Sequence, residues 1–109
     1  MKRGDIYSAI PPGEYGKPRP VVIVQSDAFT ARDSVTVCLI TSTLVHAPLF
    51  RVRIEPGPQN SLRKASDIMV DKIMTLKRSR LTIPMGTLSL EQIALLERAL
   101  AQWLALPAP

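Results

Sequence analysis

The sequence predicts a mainly β fold of the α+β class, an antiparallel and partly closed barrel or sheet followed by one C-terminal α-helix. Three observations support this prediction. Ten prolines among 109 residues cut most of the chain into short apolar segments, which favours strands over helices. The connections between these segments are mostly short, as in antiparallel sheets. Apolar residues follow helical spacing only near the C-terminus.

Five or six strands are expected, and proline or glycine marks most of their ends. Residues 21–24 are apolar without interruption, which is typical of a central strand covered on both faces. In the third strand Val35, Val37 and Leu39 share one face, and Thr41 comes next on it. The expected strands cover residues 4–10, 20–26, 34–42, 49–54, 66–76 and 82–88, with a short helical turn within 27–33.

One amphipathic helix is expected after the last strand. Ser89 is a good N-cap, and Gln92 three residues later completes a capping box. Pro107 ends the pattern, so the helix would span about 17 residues and could lie across a small sheet. The apolar residues that follow helical spacing are Ile93, Leu96, Leu100, Trp103 and Leu104.

Length and composition predict a single domain over residues 1–109. The 46% hydrophobic content can fill one modest core, which a chain of this size can bury without staples. The one cysteine, Cys38, excludes an internal disulfide and suits a reducing compartment. No apolar run reaches the roughly 18 residues of a membrane span, and the N-terminus lacks a signal-peptide core. We therefore expect a cytoplasmic protein that does not enter a membrane.

The charge balance is compatible with a polyanionic partner. Fourteen Lys and Arg against nine Asp and Glu give a net charge of +5, although charge of this size also serves solubility alone. Aromatic residues are only 5% of the chain, which excludes an aromatic platform for stacking bases. One His and one Cys cannot make a zinc site, and no phosphate-binding or dinucleotide-binding motif is present. Metal-free, cofactor-free acid–base chemistry remains, or no chemistry.

Two places along the chain could bind a phosphate. Arg19 lies between Pro18 and Pro20, whose stiff backbone would hold a guanidinium whose paired donors match phosphate oxygens. Thr41 and Ser42 end the third strand and could donate to such an oxygen. Taken alone, an arginine at a strand start more often extends over the surface, and strand-end hydroxyls more often cap the chain.

The remaining polar features are weaker indications. Asp71 and Lys72 interrupt the apolar stretch "IMVDKIM", where an ionisable pair is costly to bury without partners. The charge run "KRSR" at 77–80 is typical of a solvated face. His46 is expected in an exposed loop, and Cys38 lies in the middle of a strand, where a buried packing residue is the expected role.

Five motifs, in order along nearly the whole chain, resemble those of the MazF/PemK toxins, the ribonuclease half of bacterial toxin–antitoxin pairs. "GEYGKPRPVVIV" at 13–24 is similar to the family signature E-Q-G-x-x-R-P and the apolar strand after it. "SDIMVDKIMTLKRSRL" at 66–81 resembles the family strand and turn that end in R-L. The other three motifs are "RGDIY" at 3–7, "LITS" at 39–42 and "GTLSLEQIALLERAL" at 86–100.

This resemblance implies a small SH3-like barrel with helices, of the kind that CcdB and MazF toxins share, and a homodimer. It also implies metal-free cleavage of single-stranded RNA at short sequences, in which the 2′-hydroxyl attacks the neighbouring phosphorus. The products are a cyclic phosphate and a free 5′-hydroxyl, and the cellular result is inhibition of translation and growth. The implied partner is a small antitoxin whose acidic, disordered tail occupies the RNA groove.

Site residues carried over from the family are Arg19 for transition-state charge and Thr41 as a donor to a non-bridging oxygen. Glu14 and Asp71 both match acidic positions that could supply the general base. Tyr15 replaces a common Gln, and Met69 replaces the Arg found with an aspartate base, so the choice between the two carboxylates stays open. The residues expected to contact RNA are Lys17, Ser42, Arg51, Arg53, Lys72, Lys77 and Arg78.

A second hypothesis comes from another functional class. Gyrase poisons of the CcdB type share the fold but act by protein contact, through a terminal Trp-Gly-Ile. Here Trp103 falls within the helical pattern and the chain ends "LALPAP". The R-P signature therefore favours the nuclease over a non-enzymatic toxin that binds DNA gyrase.

Overall fold

A computed structural model describes residues 1–13 and 16–107. Its six strands form one antiparallel sheet in the order β4-β5-β3-β2-β1-β6. The sheet is not closed, because β4 and β6 remain at its two edges. The predicted fold class, a mainly β antiparallel sheet with one C-terminal helix, is confirmed. The strands are β1 Asp5–Ala9, β2 Arg19–Ile23, β3 Ser34–Thr41, β4 Arg51–Ile54, β5 Ser66–Lys77 and β6 Leu81–Thr87, and one α-helix, α1, spans Leu90–Trp103.

The strand boundaries agree with the sequence prediction to within three residues, and the largest difference at a strand end is at β2, expected to reach residue 26 but ending at Ile23. The largest difference at a strand start is at β4, expected from residue 49 but beginning at Arg51. The amides of Phe50 and Arg51 both donate to the carbonyl of Ala47, at 3.2 and 2.9 Å, so a turn occupies the residues before the strand. The short helical turn expected within 27–33 is a 3₁₀ helix over Asp27–Phe29. A second 3₁₀ turn, Arg78–Arg80, joins β5 to β6.

Two apolar layers cover the two faces of the sheet. Strands β2 and β3 contribute to both layers, which confirms the double coverage predicted for β2 and extends it to β3. The layer beneath α1, which we call the helix-side layer, contains Val22, Cys38, Ile40, Val52, Ile68, Leu96 and their neighbours. The layer on the opposite face, the inner layer, contains Ala9, Val21, Ile23, Val35, Val37, Leu39, Met69 and Leu76.

The C-terminal helix begins as predicted and ends earlier than predicted. The Ser89 hydroxyl accepts from the Gln92 amide at 3.1 Å, and the Gln92 side chain accepts from the Ser89 amide at 2.9 Å, which confirms the capping box. Ala105 has a positive φ of 55°, and the Leu106 amide donates to the Ala101 carbonyl at 2.8 Å. These features form a Schellman cap, so α1 ends after 14 residues.

Two residues expected on the core face of α1 remain partly in solvent. Trp103 and Leu104 are each 47% exposed, because they stand at the helix end where the cap turns the chain away. Trp103 contacts Phe50, with ring centroids 5.7 Å apart. Leu96 is fully buried, as predicted. In the part of the chain described here, no helix is long and apolar enough to cross a membrane.

The long loop between β4 and β5 connects the two edges of the sheet. The Thr87 amide donates to the Gln59 carbonyl at 3.0 Å, and the Ser61 hydroxyl donates to the Met85 carbonyl at 2.5 Å. Gly86 permits this approach, because a Cβ atom there would overlap the Gln59 carbonyl oxygen. The loop thus connects the β4 side of the sheet to β6, although no strand pairing joins these two edge strands.

Candidate functional site

Arg19 and Thr41 lie level with each other on neighbouring strands. Register pairs Val21 with Leu39 and Val22 with Cys38, and continuing this antiparallel register places Arg19 opposite Thr41. Residues at a spacing of two share a face, so both project on the face that carries the inner layer. The prolines beside Arg19 fix the backbone at the start of β2, as the sequence predicted.

These two residues line a groove of about 510 Å³ where β2 starts and β3 ends, which we call the basic groove. The groove also contains Lys17 and Ser42, two of the residues predicted to bind RNA. Its other described lining residues come from the start of β2, the end of β3 and the turn after it, the loop before β5 with the first residue of β5, and β6. They are Pro18, Pro20, Ile40, Thr43, Ser61, Leu62, Arg63, Lys64, Ser66 and Met85.

The chemistry of the basic groove suits an anion. Its cations are Lys17, Arg19, Arg63 and Lys64, and none of its described lining residues carries a carboxylate. Five of its residues carry hydroxyl groups, and those that do not already donate to a backbone carbonyl, as Ser61 and Ser66 do, can donate to phosphate oxygens. A concave surface of this composition concentrates positive potential and attracts a polyanion.

Arg63 and Lys64 were not singled out from the sequence. They enter the groove because Asn60 fixes the loop: its side-chain oxygen accepts from the amides of Gly57 and Leu62 at 3.1 and 3.0 Å, and its nitrogen donates to the Glu55 carbonyl at 3.0 Å. Asn60 is only 5% exposed. The Pro, Gly and Asn of "EPGPQNSLRKA" signal a turn, but the contacts with β6 that place the loop lie far away in sequence.

The Thr41 hydroxyl has a defined orientation. Its oxygen accepts a hydrogen bond from the Thr43 amide at 3.1 Å. A hydroxyl oxygen that accepts in this way still has its own proton to donate. Thr41 can therefore act as a donor inside the basic groove, the role that its resemblance to the family threonine implies.

A second groove, of about 450 Å³, lies between β4, the loop of residues 45–49 and α1, and we call it the edge groove. It contains Arg51 and Arg53, which were predicted to bind RNA, and the exposed loop residue His46. Both arginines contact the carboxylate of Asp67: Arg53 Nε donates to Oδ1 at 2.6 Å, and Arg51 Nη1 donates to Oδ2 at 3.2 Å. Their charges are thus partly neutralised within the protein.

Asp67 is a buried carboxylate, with only 1% of its side chain exposed. Burial alone would raise its pKa, but hydrogen bonds from Arg53, the Val45 amide and Arg51 outweigh burial and lower the pKa. The group therefore stays ionised at neutral pH. The sequence does not reveal this role, because "KASDIMV" gives no sign that the aspartate faces two arginines on the neighbouring strand.

Asp71 and Lys72 do not line the basic groove. They lie where residues 70–72 of β5 are inserted between the register pairs Leu39↔Met69 and Cys38↔Ile73. Burial, and then the negative charge of Asp71, raise the pKa of the Cys38 thiol to about 12. Cys38 thus stays a protonated packing residue, in agreement with the sequence analysis, and Asp71 is close enough to influence it.

Lys77 and Arg78 lie at the other end of the sheet from Thr41. Lys77 pairs with Ser34, the first residue of β3, whereas Thr41 is the last, so about seven strand steps of roughly 3.3 Å separate them. The Arg78 guanidinium donates to the Thr30 carbonyl and to the sulfur of Met1, which ties the N-terminus to the loop before β3. The structure does not bring these two predicted RNA contacts to the basic groove.

The other candidate base, Glu14, lies outside the described residues. Three residues after it, Lys17 begins the wall of the basic groove. Over residues 1–13 and 16–107, no three His, Cys, Asp or Glu side chains are grouped so as to hold a metal ion.

Comparison with known families gives one match along nearly the whole chain. The model of the PemK-like, MazF-like toxins of type II toxin–antitoxin systems matches residues 2–104. A curated relative, the probable endoribonuclease MazF of Mycolicibacterium smegmatis, is 47% identical over 107 residues, which are 97% of this chain and 98% of the relative.

Solved structures support the same relationship. The fold is similar to that of the Mycobacterium tuberculosis toxin MazF-mt6, with a TM-score of 0.81 and 25% identity over 94% of this chain and 98% of that one. It is equally similar to a mycobacterial endoribonuclease solved in complex with its cognate antitoxin, with a TM-score of 0.81 and 25% identity over 100% and 99% of the two chains. The predicted family resemblance and the predicted fold class are confirmed.

Proposed function

The chain belongs to the PemK/MazF family of toxins of type II toxin–antitoxin systems, and we propose that it cleaves single-stranded RNA in the basic groove by a metal-independent reaction. The observation that carries this proposal is the composition of the groove. The groove brings together four cations, one of them Arg19, and five hydroxyl groups, one of them that of Thr41, with no carboxylate among the described lining residues. Such a surface suits a sugar–phosphate backbone better than a neutral or cationic ligand.

The proposed reaction is internal transesterification. A base takes the proton of the ribose 2′-hydroxyl, whose oxygen bonds to the adjacent phosphorus while the bond from phosphorus to the 5′-oxygen breaks. A proton then goes to the departing oxygen. The products are a cyclic phosphate and a 5′-hydroxyl end, and a strand without 2′-hydroxyls cannot react.

Arg19 stabilises the charge that builds up on the phosphorane oxygens, because a guanidinium stays protonated and offers paired donors. Thr41 donates its hydroxyl proton to a non-bridging oxygen. Lys17, Arg63 and Lys64 bind the flanking phosphates. We assign the general base to Glu14 rather than Asp71, because Asp71 lies beside Cys38 and does not line the groove.

The proposed biological role is inhibition of translation and growth by mRNA cleavage in the cytoplasm, held in check by an antitoxin. One similar structure contains its cognate antitoxin, and an acidic, disordered tail would be attracted to the basic groove by the same charges as RNA. We propose that the active form is a homodimer, as the family resemblance implies. The gyrase-binding alternative has no support beyond the shared type of fold, since Trp103 ends α1 and contacts Phe50.

The decisive variant is Arg19→Ala, assayed on a long RNA in the presence of EDTA. Loss of the guanidinium should lower cleavage by at least about 100-fold, the scale seen when one transition-state donor is removed, and should abolish growth inhibition. The matched control is Arg32→Ala, an exposed arginine before β3 at the opposite end of the sheet, which should cleave at the wild-type rate.

Circular dichroism of both variants shows whether the fold is kept. Mapping the ends of the products tests the chemistry, since 5′-hydroxyl ends are expected and the corresponding DNA should stay intact. Cleavage by folded Arg19→Ala at the wild-type rate would refute the site, and a requirement for a metal ion would refute the reaction.

A further inference from the structure

We propose that Asp67 is a positioning residue for RNA cleavage: its carboxylate holds the turn after β3 in the conformation that orients the Thr41 hydroxyl. This inference rests on the proposed function of the basic groove and assigns a role to a residue outside it. The two positions are neighbours, because Thr41 and Asp67 are register partners across β3 and β5.

Hydrogen bonds hold both carboxylate oxygens of Asp67. Oδ1 accepts from Arg53 Nε at 2.6 Å, and Oδ2 accepts from Arg51 Nη1 at 3.2 Å and from the Val45 amide at 3.0 Å. With 1% of the side chain exposed, these bonds face little competition from water. A buried carboxylate with both oxygens engaged has little freedom to move.

A continuous path of hydrogen bonds leads from Asp67 to Thr41. The same Arg51 Nη1 atom that contacts Asp67 also donates to the Thr43 carbonyl at 3.0 Å. The Thr43 amide in turn donates to Thr41 Oγ1 at 3.1 Å. The turn of residues 41–45 is therefore held at its middle through Arg51 and at its end by the direct bond from Val45 to Asp67.

The path ends on the atom that the proposed reaction uses. Because Thr41 Oγ1 accepts from Thr43, one of its lone pairs is occupied and the direction of its own proton is restricted. A donor that is already oriented towards the developing charge needs no rearrangement in the transition state. If the turn loosens, the hydroxyl samples other rotamers and the rate falls, even though no group that touches RNA has been removed.

The arrangement differs from an ion pair that serves stability alone. A buried ion pair is often no more stabilising than apolar residues of the same size, so the cluster needs another explanation. Asp67 also lies between the two grooves, with Thr41 in the basic groove and Arg51 and Arg53 in the edge groove. The hydrogen bonds through Arg51 therefore connect the wall of the edge groove to Thr41 in the wall of the basic groove.

A double-mutant cycle tests the inference, using single-turnover cleavage of an RNA that the wild type cuts. Thr41→Ala is expected to lower kcat by about 100-fold. Asp67→Asn keeps the shape but removes the charge, and should lower kcat about 10-fold or more while KM changes less than about twofold. In the Thr41→Ala background, Asp67→Asn should cause no further loss, because the two residues act through one hydroxyl.

Glu97→Gln is the matched control. It neutralises a carboxylate that Arg3 contacts at 2.8 Å on the α1 side, and its kcat should equal that of the wild type. Arg51→Met is the second variant, because it breaks the contact with the Thr43 carbonyl and leaves Asp67 bonded to Arg53 and Val45. It should lower kcat in the wild-type background and not in Thr41→Ala, and it decides the question if Asp67→Asn does not fold.

Additive losses in the double variants would overturn the inference and leave the proposed function in place, because wild type and Thr41→Ala would still differ as expected. An unchanged kcat in folded Asp67→Asn would also overturn it. Wild-type protein that cuts no RNA would instead refute the proposed function itself.

Discussion

The basic groove and the edge groove both contain arginines, but the described residues around the two sets of arginines differ in charge. In the edge groove Arg51 and Arg53 share the buried carboxylate of Asp67, at 3.2 and 2.6 Å. In the basic groove the described walls bring together four cations and no carboxylate. Arg51 of the edge groove thus helps to hold the protein's own backbone through the Thr43 carbonyl, whereas the described lining of the basic groove concentrates positive charge that attracts a polyanion.

The difference shows that the charge of a residue does not decide its function. Arg51 is 16% exposed and donates to a backbone carbonyl as well as to Asp67, which makes it part of the turn. Arg63 reaches the basic groove through a loop that Asn60 and contacts with β6 hold in place. The surrounding contacts thus separate an arginine that holds a turn, Arg51, from one that lines the basic groove, Arg63.

The largest effect is expected from removing the buried carboxylate. Asp67→Ala leaves two arginines without their shared counter-ion and should destabilise the protein by about 3 kcal/mol, the lower end of the range for breaking a buried pair. Lys17→Ala in the basic groove should change stability by less than about 0.5 kcal/mol, as surface substitutions usually do. Urea denaturation of both variants measures the difference, and equal midpoints would contradict the distinction between the grooves.

A smaller effect is expected from protonating Asp67 rather than removing it. Its pKa is lowered in the folded protein, so the group contributes stability at pH values above the unfolded pKa of about 3.9. That contribution is lost as the pH falls through the lower folded pKa. Unfolding at a series of pH values below about 4 should show a steeper loss of stability in the wild type than in Asp67→Asn. Parallel curves would mean that the carboxylate is not linked to folding in this way.

The fold could be predicted because its signals are local. Strands can be predicted without reference to the rest of the chain from the prolines that separate the apolar segments, from the apolar run of residues 21–24 and from the period of two in β3. The capping box at Ser89 does the same for the start of α1. The end of α1 was missed because Ala105, rather than a glycine, adopts the positive φ of the cap, and sequence rules place glycine there.

The sequence predicts proximity between residues that strand register pairs, and misses proximity that tertiary contacts create. Arg19 and Thr41 come together through strand register, which follows from the antiparallel order. Arg63 depends on a loop that crosses to β6, and Asp67 on two arginines from the edge strand, neither of which is visible in a single segment. Lys77 and Arg78 belong to a basic run, but the length of β5 carries them to the far end of the sheet.

The finest test compares one arginine from each groove by the salt dependence of RNA binding. A single-stranded RNA with 2′-O-methyl groups cannot supply the attacking hydroxyl, so binding can be measured without cleavage. Each phosphate contact contributes about 0.7 to the slope of log K against log salt concentration for single strands. Arg63→Gln should lower the slope by about that amount, while Arg53→Gln should lower it less, because Asp67 already neutralises Arg53. Arg32→Gln, at the far end of the sheet, should leave the slope unchanged. If Arg53→Gln lowers the slope as much as Arg63→Gln, RNA reaches the edge groove and competes with Asp67 for its arginines.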